Sequence, residues 1–452
     1  MTTLSIPVAP FVGDDTLPAA VDVVIVGGGI IGVTTALELA ERGVSVALCE
    51  KGVIAGEQSS RNWGWTRQMG RDERELPLCM HSVEMWSQMN ARIGRETGWR
   101  RTGISYLSYN RRDLKGWLTW EEIGRRHDLD ARMLSQAEIA QKLPGNNGGI
   151  LGVLHTASDG RAEPWIAVPA MAEAAREKGA HILTNCAVRT IETAAGRINA
   201  VVTERGEIRC QSVVIAGGIW SRLLLGNMGL DFPQLKVIGP VACVDGVQGL
   251  TDMPVGAGDF AYRKRLDGGF TVAVRNKSLA PLTPDHFRLL TDFFPTFLTT
   301  WRELSLRFNG TFFQEMMTKR KWRADEQTPF EVCRTMDPPA VPGFTRKALR
   351  NLARAFPGFA DARVRHEWSG VMDATPDAIP VISPVHTVPG LHVASGFSGH
   401  GFGIGPGAGQ LMADLITGDR TRVDAKVFDI SRLRPRYGAT KAQGLRPKSA
   451  AA

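Results

Sequence analysis

The sequence contains no apolar run long enough to form a membrane-spanning helix. Its first twenty residues also lack the cationic start and apolar block of a secretory signal. A hydrophobic share of 43% and a charged share of 22% are typical of a water-soluble globular protein, so we expect a cytoplasmic location. A chain of 452 residues exceeds the size at which one core usually stops growing, so we expect two domains.

Cysteine is scarce and scattered. The six cysteines form no CxxC pair and no compact framework (Cys49, Cys79, Cys186, Cys210, Cys243 and Cys333). This distribution argues against structural disulfides and against a zinc site, and it fits reduced thiols in a cytoplasm. We therefore predict no bound metal.

Acidic residues are absent after Asp429, where the chain carries only cations (Arg432, Arg434, Arg436, Lys441, Arg446 and Lys448). Much of the net charge of +8 could lie in this stretch. A basic end can bind nucleic acid or an anionic membrane, but it is more often a solvated end. We interpret residues 426–452 as a basic tail and expect no nucleic-acid partner. A weak peripheral contact with the inner face of a membrane stays open.

The most informative pattern that is present lies near the N-terminus. A strand from Val21, a glycine turn, a helix to about Glu41 and a second strand ending at Glu50 form a βαβ unit. In this pattern Gly27 allows the tight turn, Gly29 lets backbone approach a pyrophosphate, and Gly32 lets the helix pack on the strand. The predicted dinucleotide-binding residues of the unit are Gly27, Gly29, Ile30, Ile31, Gly32, Glu50 and Lys51.

Two further glycine turns follow strands later in the chain. One lies in Ser212–Ser221, and the other begins at Gly396 and leads into a helix through Ile416. No second GxGxxG follows a strand, which argues against separate FAD and NAD(P)H motifs. The three turns together favour one extended FAD.

Two other stretches stand out by composition. Residues 56–70 are rich in glycine and polar side chains with little periodicity, so we predict a loop there. Residues 285–313 are unusually aromatic, which suits either helices packed over a sheet or a helix lying on a membrane. Pro295 interrupts the run, and we predict core packing.

The ordered motifs resemble the D-amino-acid oxidase (DAO) family of flavoproteins, from about Val21 to Gly418. The resemblance is carried by the N-terminal unit, Val214–Ser221, Trp368–Gly370 followed by Thr375–Ile382, and Phe397–Gly403. It implies an α/β fold with a discontinuous Rossmann-like FAD-binding domain and an α+β substrate domain with a mixed, largely antiparallel sheet. We expect an N-terminal extension over 1–20, the FAD-binding domain over 21–98, 150–235 and 360–425, and the substrate domain over 99–149 and 236–359.

The resemblance also implies where FAD binds. The segment Ser59–Gly64 is similar to the loop that wraps the flavin in amine-oxidising members, and Gly399–Gly403 would lie under the flavin. The additional cofactor-binding residues so implied are Ser59, Ser60, Arg61, Asn62, Trp63, Gly64, Val188, Ala216, Gly217, Trp220, Gly370, Gly399, His400, Gly401, Phe402 and Gly403. FAD in this setting accepts a hydride at N5 from a carbon next to nitrogen, and the imine product hydrolyses to an oxo compound.

The substrate side departs from the family pattern. Amino-acid-oxidising relatives commonly carry an arginine two residues after the glycine of Trp368–Gly370, where this chain has Met372. Either another cation binds the substrate carboxylate or the substrate has none. Candidate substrate contacts are His400, Tyr262, Arg263 and Arg67, with Arg265, Arg320 and Arg323 as further cations.

We therefore predict an FAD-dependent oxidase or dehydrogenase of a D-amino acid or an N-substituted amino acid. The electron acceptor is O₂ or a quinone- or dye-type compound, and neither the acceptor nor the oligomeric state can be chosen from the sequence. Two alternatives stay open. One is oxidation of an amine or polyamine derivative without a carboxylate, and the other is a flavoprotein subunit of a larger electron-transfer complex.

Overall fold

The computed structural model describes residues 5–301 and 304–438. The strands, in chain order, are β1 (Val23–Val26), β2 (Val46–Cys49), β3 (Trp65–Thr66), β4 (Arg100–Arg101), β5 (Ile104–Ser108), β6 (Ala131–Met133), β7 (Gly152–Thr156), β8 (Gly160–Arg161), β9 (His181–Leu183), β10 (Val188–Ala194), β11 (Arg197–Thr203), β12 (Gly206–Arg209), β13 (Ser212–Ile215), β14 (Leu235–Asp245), β15 (Val255–Gly256), β16 (Ala261–Lys264), β17 (Phe270–Ala273), β18 (Ser278–Pro281), β19 (Leu304–Arg307), β20 (Arg363–Ala374), β21 (Val381–Pro384) and β22 (Leu391–Ser395).

The α-helices are α1 (Ile30–Glu41), α2 (Gln58–Arg61), α3 (Leu76–Ile93), α4 (Arg111–Arg126), α5 (Gln136–Lys142), α6 (Pro164–Glu177), α7 (Ser221–Asn227), α8 (Pro284–Arg288), α9 (Leu290–Thr300), α10 (Gly310–Met317), α11 (Pro329–Val332), α12 (Phe344–Ala355) and α13 (Gly401–Thr417). Short 3-10 helices cover Gly218–Trp220, Pro357–Phe359, Ala425–Phe428, Ile430–Arg432 and Pro435–Tyr437. A capping box at Ser135 begins α5, since the Ser135 and Glu138 side chains each bind the backbone of the other residue.

A six-stranded sheet has the order β21-β22-β13-β1-β2-β9. Its strands are parallel except for the antiparallel pair β21–β22. Ile25 of β1 lies between Leu48 and Val214 of the neighbouring strands, and all three side chains are buried. Burial of both faces explains these continuous apolar strands, since α1 covers one face and residues of β10, β11 and β12 pack on the other. Because the strands come from three separate stretches of the chain, the discontinuous α/β fold is confirmed.

Helix α1 lies between α6 and α13 on one face of this sheet. Two glycines of α13 allow the helices to approach closely. A Cβ on Gly405 would lie 2.7 Å from Ile30, and a Cβ on Gly409 would lie 2.5 Å from the Thr34 hydroxyl oxygen. The N-termini of α1 and α13 are therefore held side by side, where both can face one ligand.

A second, larger sheet has the order β19-β18-β14-β17-β16-β15-β5-β7-β6, and β20 pairs with β14. Most of its pairs are antiparallel, whereas β15–β5 and β18–β19 are parallel. The long antiparallel pair of β14 and β20 runs from Leu235–Ala374 to Asp245–Arg363. This sheet matches the predicted mixed, largely antiparallel sheet. The domain boundaries given above stay a prediction.

Two predictions about local structure need correction. Residues 56–70 are not a continuous loop, because α2 and β3 lie within them. Residues 426–438 are packed rather than a free tail, since Phe428, Ile430 and Tyr437 are buried. Arg432 and Arg434 there find distant acidic partners, Asp377 and Asp231. The rest of the predicted tail, residues 439–452, lies outside the described residues.

The prediction of core packing for residues 285–313 is wrong. Phe287, Phe294 and Phe308 expose 64%, 51% and 63% of their surface. The physical reason is the position of the segment in the fold. Its strand β19 is the last strand in the sheet order, and the helices α8 and α10 on either side of it in sequence bury none of their residues. The sheet therefore offers them no face to cover.

Candidate active site

A cavity of about 1200 Å³, including its open mouth, runs between the turn after β1, the end of β13 and the start of α13. Most of the predicted cofactor-binding residues line it: Gly27, Gly29, Ile30, Ile31, Glu50, Lys51, Ser59, Asn62, Val188, Ala216, Gly217, Trp220, Gly399, Gly401 and Phe402. The three predicted glycine turns therefore converge on one elongated cavity. Its length is bounded by Glu50 and Val188 at one end and by Phe397 and Gly399 at the other.

The first turn leaves no room for side chains. At Gly27, where φ is +115°, a Cβ would lie 2.5 Å from the Ala216 carbonyl oxygen. A Cβ on Gly32 would lie 2.0 Å from the Gly27 carbonyl oxygen. Glycine at these positions thus brings α1, β1 and the turn after β13 into contact, as the dinucleotide pattern requires.

Glu50 closes the adenine-side end predicted for the cavity. Its carboxylate accepts hydrogen bonds from the backbone N–H groups of Gly28 at 2.6 Å and Gly52 at 2.7 Å. Burial raises the pKa of Glu50, and Lys51 opposes that shift. The acid is held rigidly at the point where a ribose hydroxyl is expected.

Ser59 completes the start of α1. Its hydroxyl oxygen accepts a hydrogen bond from the Ile30 N–H at 2.8 Å. The helix N-terminus is therefore partly capped from the loop, and its other early N–H groups still favour an anion. A pyrophosphate at this helix end fits both the capping and the dipole.

The sequence did not single out Glu57, which joins three parts of the cavity wall. Its carboxylate accepts from Trp220 Nε1 at 2.9 Å, from the Met336 N–H at 2.9 Å and from Lys51 Nζ at 2.7 Å. Lys51 also lies 4.5 Å from the centre of the Trp220 ring. Glu57 is far from Trp220 and Met336 in the sequence, so no local pattern indicated these contacts.

Several predicted cofactor residues lie behind the wall and do not line the cavity. They are Gly32, Ser60, Arg61, Trp63, Gly64, Gly370, His400 and Gly403. Ser60 donates to the Ala55 carbonyl, and the buried Arg61 donates to Asp337 at 2.6 Å. Gly370 faces α2, where a Cβ would lie 2.2 Å from Gln58. Ser60, Arg61 and Gly370 therefore support the flavin loop rather than line the cavity.

Tyr262 and Arg263 do not reach the cavity. The Tyr262 ring is 1% exposed and packs against Phe270, Phe356 and Phe359 in a separate core. The buried Arg263 is bound by Glu163 at 2.6 Å and 3.1 Å. Tyr262 thus belongs to a separate aromatic core, whereas Arg263 is held by Glu163 and also donates from Nε to the Trp63 carbonyl oxygen at 2.6 Å.

The other cations considered from the sequence are also paired. Arg265 lies 2.9 Å from Asp267, Arg320 lies 3.1 Å from Asp285, and Arg323 lies 3.1 Å from Asp325. None of the three lines the cavity described above. None of these three is therefore placed to bind a substrate carboxylate in the cavity.

Met372 itself does not line the cavity. Its sulfur lies 2.8 Å from the position of a Cβ on Gly399, while its neighbours Val371 and Asp373 line the cavity. Asp373 accepts a hydrogen bond from the Gly396 N–H at 2.6 Å, and burial raises its pKa to about 6. This carboxyl holds the turn that enters α13.

A buried polar cluster lies against the first turn of α13, formed by Arg67, Arg71, Glu75 and His400. Backbone of Thr66 and Arg67 lies within 3.6 Å of a Cβ placed on Gly403, so the cluster adjoins the cavity end at Gly399 and Phe402. His400 Nδ1 lies 3.3 Å from Glu75 Oε1. Burial lowers the pKa of His400, and Arg71 lowers it further.

Arg71 was missed by the sequence reasoning. Its side chain is 7% exposed, and its Nε and Nη1 atoms have no hydrogen-bond partner in the structure. Burial and the neighbouring Arg67 lower its pKa, while Glu75 opposes them. The unpartnered donors of Arg71 lie near a second guanidinium, that of Arg67, and such a pair of neighbouring cations favours an anion. Arg71 lies between β3 and α3, outside any helix or strand, so no periodicity indicated its position.

Aromatic rings extend from this cluster. Tyr106 stacks on Trp117 at 4.5 Å, with Arg275 4.3 Å and Arg67 5.6 Å from the centre of the Tyr106 ring. Trp65 packs on the same tyrosine at 5.7 Å. The arrangement places cations and aromatic surfaces together beside the predicted flavin end.

Comparison with known proteins identifies the fold family. The sequence profile described as "DAO: FAD dependent oxidoreductase" matches residues 22–415. The chain belongs to the DAO family of FAD-dependent oxidoreductases. The resemblance stated from the motifs is confirmed, as is FAD as the cofactor of the family.

The names of several relatives denote the oxidation or deamination of amino acids. The solved L-amino acid deaminase from Proteus vulgaris is 32% identical, with a TM-score of 0.89 over 94% of this chain and 100% of that one. Glycine oxidase from Pseudomonas aeruginosa is 24% identical over 89% of this chain and 96% of its own length. Mouse mitochondrial sarcosine dehydrogenase is 24% identical over 92% of this chain, but the chain spans only 42% of its length.

Two features are absent from the described part of the chain. None of the helices within residues 5–301 and 304–438 has the length and apolar content to cross a bilayer. The same residues contain no group of histidine, cysteine and acidic side chains arranged to hold a metal ion.

Proposed function

We propose that this DAO-family protein oxidises the C–N bond of an amino acid whose carboxylate is bound by Arg67 and Arg71. The observation that carries the proposal is the buried, incompletely partnered guanidinium of Arg71 beside the end of the flavin cavity. An anion there would accept a charge-assisted hydrogen bond from an unpartnered donor of Arg71 and a second from Arg67.

The residues of the cavity fit an extended FAD. A pyrophosphate can approach the backbone of the first turn closely because Gly27, Gly28 and Gly29, which line the cavity, carry no side chains. Glu50 would receive the ribose hydroxyls and α1 the phosphates. Bound FAD supplies the hydride acceptor, and the chain supplies orientation and electrostatics.

The first turn of α13 is the chain's main electrostatic contribution. Helix N–H groups at Gly401 and Phe402 are directed toward the cavity end without competing side-chain caps on His400. A positive helix end stabilises negative charge that develops there during hydride transfer. Burial lowers the pKa of His400, whose ring lies beside Glu75 behind the cavity wall rather than in the cavity.

The relatives support the substrate class. Sarcosine dehydrogenase, glycine oxidase and L-amino acid deaminase take their names from compounds that carry a carboxylate next to the reacting carbon. An amino acid satisfies the arginine cluster, whereas an amine without a carboxylate leaves it unpaired. The substrate test determines the stereochemistry and the N-substitution of the amino acid. Steady-state assays with O₂ and with quinone-type dyes identify the electron acceptor.

Anaerobic mixing of the FAD-loaded protein with L-, D- and N-methyl amino acids, and with their decarboxylated amines, tests the proposal. We expect bleaching of the flavin absorbance by a carboxylate-bearing member only. Bleaching by the decarboxylated amine at an equal rate would favour the amine alternative. A flavoprotein that no member reduces, but that gains activity with a second subunit, would favour the complex-subunit alternative.

A further inference from the structure

Asp373 is a buried acid at the flavin end of the cavity that the function proposed above does not use. It lies on β20, and it lines the cavity together with Phe397, Gly399 and Gly401. We propose that the charge of Asp373 sets the reduction potential of the bound FAD, because it opposes the negative charge that the cofactor gains on reduction. The proposal rests on FAD as the cofactor and does not depend on the substrate.

The Asp373 carboxylate has no cation beside it. In the described part of the chain it forms no ion pair, and backbone N–H groups and the Gln234 amide are what lower its pKa. The register of β14 and β20 places Lys236 directly opposite Asp373. The Lys236 ammonium pairs with Glu315 instead, and it lies 5.3 Å from the centre of the Trp220 ring. The cation that the register offers is thus turned to another acid.

Neutral donors hold the carboxylate. Its Oδ2 atom accepts a hydrogen bond from the Gly396 N–H at 2.6 Å and a longer one from Gln234 Nε2 at 3.4 Å. Burial raises the pKa of Asp373 to about 6, so the group is mainly ionised near pH 7. A buried charge without a counter-ion costs free energy, and such groups cluster at functional sites. Its field therefore acts on the contents of the cavity.

The direction of the effect follows from the sign of the charge. Hydride transfer adds negative charge to bound FAD, and a carboxylate in the same low-dielectric cavity disfavours that change. The N-terminus of α13, which begins at Gly401, acts in the opposite direction. The potential of the bound cofactor reflects the balance of the two. Asp373 is the member of this pair that a side-chain substitution can neutralise.

Gln234 fixes the position of the charge. Its Nε2 atom donates to the Gly218 carbonyl oxygen at 2.9 Å as well as to Asp373, and its Oε1 atom accepts from the Arg222 N–H at 3.2 Å. The turn after β22, at Gly396, is thereby joined to the turn after β13. Both turns belong to the cavity wall, so the carboxylate is held at one place relative to a bound cofactor.

A purely structural role for Asp373 is the competing interpretation. If the side chain only holds the turn at Gly396, its loss weakens the binding of oxidised and reduced FAD by the same factor. The potential of the bound cofactor then stays unchanged, since it depends on the ratio of the two affinities. A charge effect changes that ratio. The reduction potential therefore separates the two roles.

The test variant is D373N, which removes the charge and keeps an oxygen for the Gly396 N–H. The matched control is E367Q, which neutralises an exposed acid on the same strand. Q234M breaks the bridge to Gly218 and keeps the charge of Asp373. The midpoint potential of each FAD-loaded protein is measured without substrate, by reduction in the presence of a reference dye. Fluorescence titration gives the affinity for oxidised FAD, and thermal unfolding shows that each variant is folded. D373S replaces D373N should that variant fail to fold.

We expect D373N to increase the affinity for reduced FAD relative to oxidised FAD by at least about tenfold, which raises the potential of this two-electron couple by about 30 mV. E367Q and Q234M should change the ratio by less than about twofold, because neither alters the charge in the cavity. An unchanged or lower potential in D373N, or in D373S in its place, would overturn the proposal. An equal rise in E367Q or Q234M would also overturn it, since net charge or turn geometry would then be the cause. No substrate enters the measurement, so either result leaves the amino acid proposal to its own test.

Discussion

Replacing Gly32 by alanine should disconnect the flavin turn from α1. The added Cβ would lie 2.0 Å from the Gly27 carbonyl oxygen and 3.3 Å from Ile25 Cγ2, both on the turn and strand that form the cavity wall. Non-bonded carbon and oxygen atoms approach to roughly 3.2 Å, so α1 must move by about 1 Å. Overpacking of this size costs about 1–3 kcal/mol, which corresponds to roughly tenfold to hundredfold weaker FAD binding.

The matched control is Gly116→Ala. Gly116 lies within α4, and a Cβ added there would have no neighbouring atom within 4 Å. Alanine is favoured over glycine inside helices, so this control should be neutral or more stable by about 0.5–1 kcal/mol. Flavin fluorescence titration of both apoproteins measures FAD affinity, and thermal unfolding measures stability. Wild-type FAD affinity in G32A would refute the close-packing role given to Gly32.

Three further changes test the site and its surroundings. R71M should raise the KM for the amino acid about tenfold to hundredfold without loss of flavin absorbance, because a charge-assisted hydrogen bond is worth about 1.5–3 kcal/mol. The control R74M removes an exposed arginine paired with Asp72 and should leave the KM unchanged. An equal effect of the two variants would exclude Arg71 from substrate binding. Y262F should retain activity and full stability, because the buried hydroxyl has no hydrogen-bond partner in the structure, and a large loss of activity would return Tyr262 to the substrate site. D159N tests the raised pKa of Asp159. Burial raises the pKa of this carboxyl from 3.8 to about 6, so the folded protein binds the proton more tightly than the unfolded chain. The stability of the wild type therefore falls by up to about 3 kcal/mol as the pH rises between these two values. The stability of D159N relative to wild type should therefore increase from pH 4 to pH 7 in chemical denaturation, and a constant difference would contradict the raised pKa.

The nucleotide-binding unit could be predicted because its signals are local. Gly27 and Gly32 have steric reasons that hold within a few residues, and Glu50 follows at a fixed distance along a strand. The cavity also collects the later turns at Gly217 and Gly399, as the single extended cofactor required. Prediction succeeded where neighbours in sequence are neighbours in space.

The substrate side could not be predicted in the same way. Alternation along β16 places Tyr262 and Arg263 on opposite faces of the sheet, but it does not say what each face meets. In the structure, Tyr262 packs against Phe356 on one face, and Arg263 pairs with Glu163 on the other. Arg71 gains its environment from His400, more than three hundred residues away, which no local pattern reports.

The aromatic segment shows a different limit. Periodicity on α9 correctly indicates an apolar face, but packing over a sheet and exposure at its end have the same pattern. Only the sheet order, with β19 at its end, shows that no strand lies behind α8 and α10 within the described residues. The position of the segment at the end of the sheet therefore determines whether its apolar face is buried or exposed.

The central claim is that this flavoprotein binds an amino acid by its carboxylate and oxidises its C–N bond. Its most direct test is the anaerobic flavin absorbance after mixing with one amino acid and with the amine formed by removing its carboxyl group. The account predicts bleaching by the amino acid in the wild type, at least tenfold weaker apparent binding of it by R71M, and no bleaching by the amine. Equal bleaching by both compounds, unchanged in R71M, would contradict it.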